Sequence, residues 1–437
     1  MRDLLLTVII LLSIPVGLFQ PYYGLLVYSW VSYMYPQLMT WSFARTLPVA
    51  KLTALSTLGG ILLNRSGNVS VLKEREMLCV YGLMVLFTLS SCTAIYPQLA
   101  WPQWQDMLKV VLMTSMTAAL LSTKERLKLF LTVVAFSLGY YGFKGGIFSL
   151  LTGGQYMIWG PGDSIIGANN NLGLALNMCL PIFWYLAKNE DKRWLRWVFR
   201  AGFLLTIPSI MFTYSRGSFV GLAAVLLFLI LKSRYRVLLL GILIGAAILI
   251  AGFLPEQWST RQQTTLDYEQ DGSAMSRIDN WKFCWNLALD RPLTGGGFQF
   301  FSLATLGRYA PEFISKYPGK AWDTHNIYLG ILSAHGFPAL LLFLAMIAFS
   351  FGSCRHMKRS VQDRHDLRWI ANYSDLIQAS LFGFLVNGMF VNMEYFELPY
   401  NLVALTVSMK VMLRHELDQR EPLSLESATA PVLATNP

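Results

Sequence analysis

Charged residues are scarce in this chain: Asp, Glu, Lys and Arg together make up 14% of its 437 residues, where soluble domains carry roughly 25%. With 54% hydrophobic residues and a mean hydropathy of +0.44, that shortage excludes an ordinary soluble domain. Cysteine is sparse as well. Cys79, Cys92, Cys179, Cys284 and Cys354 show no CxxC spacing, so neither a disulfide framework nor a zinc site is suggested. A Walker loop and a Rossmann fingerprint are both absent. Long polar stretches are missing except for one, residues 255–325.

What fills the rest is apolar. Runs such as Val198–Phe212, Phe219–Leu231, Val237–Leu254, Leu329–Phe351 and Leu376–Met393 approach the length that crosses about 30 Å of hydrocarbon. The chain reads as an all-α polytopic membrane protein with about twelve transmembrane helices. Four parts follow: a bundle over 1–254, a large loop with interfacial helices over 255–325, further spans over 326–413, and a disordered tail over 414–437, rich in Ser, Ala, Thr and Pro toward its end. Leu4–Leu12 lacks a small-residue cleavage site after it, so it reads as a retained helix rather than a signal peptide. No internal repeat is visible.

The net charge of +10 does not point to nucleic acid, because the basic residues are spread over short loops: Lys73 and Arg75; Lys124, Arg126 and Lys128; Lys188 to Arg200; Lys232 to Arg236; Arg355 to Arg368. The positive-inside rule puts these loops in the cytoplasm. By alternation, 94–104, 144–169, the turn at 214–217 and the loop 255–325 face the other side. With both termini cytoplasmic, residues 1–36 make one net crossing. The large loop is near neutral, with seven Lys or Arg against eight Asp or Glu.

Three patches on the outward side hold residues able to do chemistry. Tyr214-Ser215-Arg216-Gly217-Ser218 is either a tight hairpin with a tolerated arginine or a phosphate site. Its planar, always-charged guanidinium suits the latter, and it runs against the positive-inside bias. The segment Ser276-Arg277 to Trp281, followed by Pro292 and Gly295-Gly296-Gly297, is an interfacial helix and a glycine turn that either flexes or lets a backbone approach a ligand. Thr324-His325-Asn326-Ile327-Tyr328 is either a helix cap or the place of a neutral imidazole that takes a proton from a hydroxyl. His335 lies deeper in the same span and competes with His325, with packing as its simplest role; His356 and His365 belong to a basic loop. A DxD-like acidic pair near the first outward loop is absent, as is any metal-ligand set on the outward side.

These elements together carry a resemblance. Asn169-Asn170-Asn171 leading into Leu172–Pro181, the Ser215-Arg216-Gly217 turn, Ser276-Arg277 to Trp281 with Pro292 and Gly295 to Gly297, and His325-Asn326 leading to Gly336 resemble, in order and spacing over 165–345, bacterial O-antigen ligases. The wider superfamily also holds O-antigen polymerases and O-linked protein oligosaccharyltransferases. Residues 1–100 resemble ligase-like proteins found alongside bacterial exopolysaccharide and protein-sorting systems. Family members often carry an acidic residue before the glycine at 336, where this chain has His335.

The resemblance implies a fold similar to C-type glycosyltransferases, in the bacterial inner membrane. It also implies transfer of a glycan from undecaprenyl diphosphate to an acceptor at the periplasmic face, with no metal, nucleotide or other cofactor. For the ligase the acceptor is lipid A-core. A polymerase or a protein O-oligosaccharyltransferase would need the same donor chemistry, and a non-enzymatic lipid-linked glycan transporter is the contrasting class. Such a transporter should carry its ionisable residues in mid-membrane, whereas here they gather on one side. With no metal, Arg216 and Arg277 are expected to hold the diphosphate and His325 to act as general base, inverting the anomeric centre. Tyr214, Asn326 and Tyr328 are expected near the sugar, Lys144 and Asn170 at the donor entrance, and Gly296 against the substrate. Trp258, Trp281, Trp285, Phe298, Phe300, Phe301 and Trp322 are either sugar-stacking residues or membrane anchors.

Overall fold

A computed structural model describes residues 1–251, 272–319 and 323–429, and every regular element among them is helical. Eight helices precede the Arg216 turn: α1 (Arg2–Phe19), α2 (Pro21–Met34), α3 (Val49–Asn64), α4 (Arg75–Cys92), α5 (Pro97–Leu120), α6 (Lys124–Leu151), α7 (Asn169–Asn189) and α8 (Arg193–Met211). α9 (Arg216–Leu231) and α10 (Arg236–Ala251) follow, then α11 (Gly272–Asp290), α12 (Leu303–Tyr309) and α13 (Pro311–Lys316) of the large loop. α14 (Ile327–Ser360), α15 (Arg368–Asn387) and α16 (Glu397–Thr429) complete the chain. α1, α4 and α14 are long and apolar enough to cross a membrane by length and composition, and α3 and α9 are shorter apolar helices.

The helices alternate between two ends of one bundle. The basic end carries the turns at 65–74, 121–123, 190–192, 232–235 and 361–367. Ion pairs tie it together: Lys128 to Glu190 at 2.9 Å, Lys358 to Asp375 at 2.5 Å, and Lys410 to Glu74 at 2.6 Å. The opposite, loop end gathers 35–48, 93–96, 152–168, 212–215, 323–326 and 388–396.

Two expectations change here. The Asp3 carboxylate accepts from the amides of Ser42 (2.9 Å) and Ala44 (3.3 Å). Asn64 meanwhile donates to the Leu18 carbonyl at 2.7 Å. The N-terminus therefore lies at the loop end, and α1 and α2 run away from it and back, broken at Gln20-Pro21, where one net direction is expected. The last helix also runs on to Thr429, past residue 414 where a disordered tail is expected. Lys410 and Arg414 within it pair with Glu74. Residues 430–437 lie outside the described residues, as do 252–271 and 320–322, and with them Trp258 and Trp322.

α14 is interrupted at Gly336, whose φ of 79° and ψ of 178° no side-chain-bearing residue adopts readily. Pro338 has no N–H for the Ala334 carbonyl, and the Phe337 N–H turns away to the Pro292 carbonyl at 2.8 Å. Two carbonyls are thereby orphaned at the break. The Gly296 and Gly297 amides cap them, donating to Ser333 and Ala334 at 2.8 Å each. The glycine turn thus plugs a helix break and locks the large loop onto the bundle.

That loop has a core of its own. Phe283, Cys284, Leu287, Phe300, Leu306, Tyr309 and Phe313 bury together with Ala334 of α14. On α11, Phe283 and Leu287 turn inward, while Trp285 and Leu289 remain exposed.

Candidate active site at the loop end

The turn before α14 is held from three sides. The Asn280 side chain donates to the Asp323 carbonyl and the Trp281 indole to the Thr324 carbonyl, both at 2.9 Å. From the other flank, Asn392 Oδ1 accepts from Thr324 Oγ1 at 2.8 Å and from the Asn326 amide at 3.2 Å. Asn326 in turn caps α14, its Oδ1 accepting from the Tyr328 and Leu329 amides at 2.9 and 3.1 Å. Between these pinned residues His325 takes a left-handed φ of 46°, a conformation worth roughly 1–2 kcal/mol against a residue with a Cβ. The surrounding bonds fix a strained, half-buried imidazole, the kind of position that clusters at functional sites.

Arg277 lies one helical turn before Asn280 and Trp281, on the same side of α11. Its charge reaches His325. Burial, then the Arg277 guanidinium, lower the His325 pKa from the ordinary 6.5, with Asp323 opposing. The imidazole is therefore kept neutral and able to accept a proton.

Arg216 opens α9, where the Ser215 hydroxyl accepts from the Ser218 amide at 3.2 Å. A cation at this end opposes the helix dipole by about 0.3–1 kcal/mol, and a bound anion reverses that balance. Tyr214 before it is also left-handed, with φ 56°, and its hydroxyl donates to the Gly154 carbonyl at 2.7 Å. Asn169 donates to the Thr213 carbonyl at 2.8 Å, and the Asn170 carbonyl accepts from Ser218 Oγ at 3.4 Å. The start of α7 thus braces the Arg216 turn.

Residues 387–396 run between this turn and that of His325. A Cβ on Gly217 would sit 2.5 Å from Phe390, and one on Gly221 would strike Asn387. Five residues on, Asn392 holds the His325 turn. The same segment carries Glu394, which the sequence reading passed over because it follows directly on an apolar run. Glu394 is buried over Gly330, where a Cβ would lie 2.5 Å from its Oε1, and its Oε2 meets no partner among the described residues. Burial, with Asp323 adding to it, pushes its pKa up to about 8. A carboxyl in a polypeptide stretch otherwise rich in apolar residues was the signal available.

Three other singled-out residues lie elsewhere. Both backbone groups of Gly296 are engaged in the fold, its amide donating to the Ser333 carbonyl and its carbonyl accepting from the Ile95 amide at 2.9 Å. Lys144 is exposed on α6 and lines a groove of about 600 Å³ with Arg2, Arg45 and Trp41, apart from the arginine and histidine turns. His335 is buried, with Ser90 Oγ at 2.6 Å from its Nδ1 and Tyr395 OH at 2.8 Å from its Nε2. Tyr328 donates to the Leu385 carbonyl at 2.8 Å.

The stretch that carries Arg216, Arg277 and His325 matches a family model described as O-antigen ligase, over residues 201–344. Residues 201–344 are thus similar to O-antigen ligases. Residues 1–191 match a second model, described as a family of unknown function (DUF5935). No curated protein matches the chain. The O-antigen ligase region ends short of Asn392 and Glu394, so the segment that joins its two turns comes from outside it. The chain is a membrane-type helical protein with an O-antigen ligase region, which suggests glycosyltransferase-like activity on lipid-linked glycans.

Proposed function

We propose that this protein is an O-antigen ligase of the bacterial inner membrane. It transfers a glycan en bloc from undecaprenyl diphosphate to a hydroxyl of lipid A-core at the periplasmic face, without metal and with inversion. The observation that carries this reading is the pinned His325 turn beside Arg277, within the O-antigen ligase region. The donor is already activated, so the protein must orient it, neutralise the leaving diphosphate and remove the acceptor proton. Arg216 and Arg277 take the diphosphate oxygens through charge-assisted bonds. The acceptor oxygen attacks the anomeric carbon from the opposite side, the carbon–oxygen bond to the diphosphate breaks, and undecaprenyl diphosphate leaves with the electron pair. The acceptor proton goes to neutral His325, and the imidazolium, disfavoured beside Arg277, returns it to water.

Asn170, Tyr214, Asn326 and Tyr328 belong to the frame that positions these groups. Lys144 and its groove fit a lipid headgroup better than the reacting centre. The bilayer and the two lipid-linked glycans are the partners; nucleic acid is not one.

Purified protein in detergent with EDTA, given undecaprenyl-diphosphate-linked glycan and lipid A-core, should form the joined product. Turnover only when a peptide or a second donor molecule replaces lipid A-core would instead make the protein a protein O-oligosaccharyltransferase or a polymerase. Silence with every acceptor would favour a transporter.

A further inference from the structure

A second cavity opens at the loop end, built mostly by residues 1–191 and not by the O-antigen ligase region. It holds about 410 Å³, within the roughly 300–1,000 Å³ of small-ligand sites. Tyr35 and Gln37 line it after α2, Gln103, Asp106 and Lys109 from α5, and Glu397 from the start of α16. Glu397 is buried and fixed: it accepts from Ser32 Oγ at 2.6 Å and from the Tyr28 hydroxyl. Lys109 pairs with Asp106 at 3.2 Å. The Gln37 Oε1 is buried with no partner among the described residues. An amide oxygen left this way costs about 1–3 kcal/mol, which a ligand's hydroxyl would recover.

The lining selects its ligand. Two carboxylates face one ammonium, so a diphosphate is repelled here, whereas amides, carboxylates and tyrosine rings together match the hydroxyls and apolar faces of sugars. The position selects which sugar. Tyr395, in the cavity wall, lies three residues after Asn392, which holds the His325 turn. Three residues span at most about 11 Å. A short glycan seated in the cavity can therefore present its end to the imidazole while the donor diphosphate stays with the arginines.

We propose that this cavity binds the sugars of the acceptor glycan, making residues 1–191 the acceptor-recognition half of the enzyme; the inference rests on the transfer reading above. The test uses full-length protein and the variants Gln37→Ala and Gln103→Ala, checked for equal melting temperature. Core oligosaccharide released from lipid A is titrated by calorimetry, and transfer kinetics are run alongside. The expected result is binding by wild type, at least tenfold weaker binding by either variant, and a matching rise in KM for lipid A-core with donor KM and kcat unchanged. Binding of the oligosaccharide that the variants lose, in a protein that transfers nothing, would support the cavity while sinking the transfer reading. Equal binding by wild type and variants, no binding by wild type, or a rise in donor KM alone would overturn the proposal.

Discussion

Asn392→Ala removes one oxygen and with it both bonds that hold the His325 turn from the side of residues 388–396. Each such bond contributes about 0.5–1.5 kcal/mol net, so the pair contributes about 1–3 kcal/mol. The left-handed conformation of His325 opposes it by roughly 1–2 kcal/mol. The two terms are of equal size, and without Asn392 the turn is free to relax and swing the imidazole away from the acceptor hydroxyl. If the lost energy appears in the transition state, at tenfold per 1.36 kcal/mol, kcat should fall roughly 5- to 150-fold. Donor KM should hold, because Arg216 and Arg277 are untouched. Asn392→Asp keeps an acceptor oxygen in place and should recover most of the rate. The assay is initial-rate transfer from undecaprenyl-diphosphate-linked glycan in detergent, with both variants matched to wild type in melting temperature. A kcat for Asn392→Ala within twofold of wild type would refute the argument that this oxygen positions His325.

Arg277→Ala removes the cation that helps lower the His325 pKa, so the pKa should rise and the acid limb of the rate profile should move to higher pH; a limb that stays put or moves to lower pH contradicts the coupling. Glu394, pushed up to about 8, is uncharged below that pH and gains charge above it. Wild-type activity should therefore decline above about pH 8, while Glu394→Gln keeps near-normal activity at pH 7 and loses the alkaline limb; a profile unchanged by the substitution rules this out. Gly336→Ala would place a Cβ 2.5 Å from the Pro292 carbonyl. Strain of about 1–3 kcal/mol and loss of two carbonyl caps at about 1 kcal/mol each predict destabilisation by about 3–5 kcal/mol. This should be read as a lower melting temperature and faster proteolysis at 291–299, and wild-type stability would show that the helix break is not held this way.

The helical, membrane-type architecture was legible because composition and apolar runs report burial in lipid directly. Arg277 and His325 were legible as polar residues at apolar boundaries, yet nothing in the sequence says that α11 sets them side by side. That depends on Asn280 and Trp281 reaching carbonyls more than forty positions away. Asn392 escaped notice for the same reason: its role exists only through contacts with the 323–326 turn. The capping role of Gly296 was not legible, because a glycine turn that caps a broken helix and one that cradles a ligand look alike until the partners of its amides are seen. The passage of residues 1–36 was read by charge parity, but an acidic Asp3 bonded to the 42–44 amides carries no parity signal.

The central claim is that a neutral imidazole at position 325 removes the acceptor proton. The most direct test is the metal-free transfer rate of His325→Ala against wild type, at matched melting temperature and saturating donor and lipid A-core. The account predicts a fall in kcat of roughly 100- to 10,000-fold with little change in donor KM. A variant that transfers within threefold of wild type would contradict it.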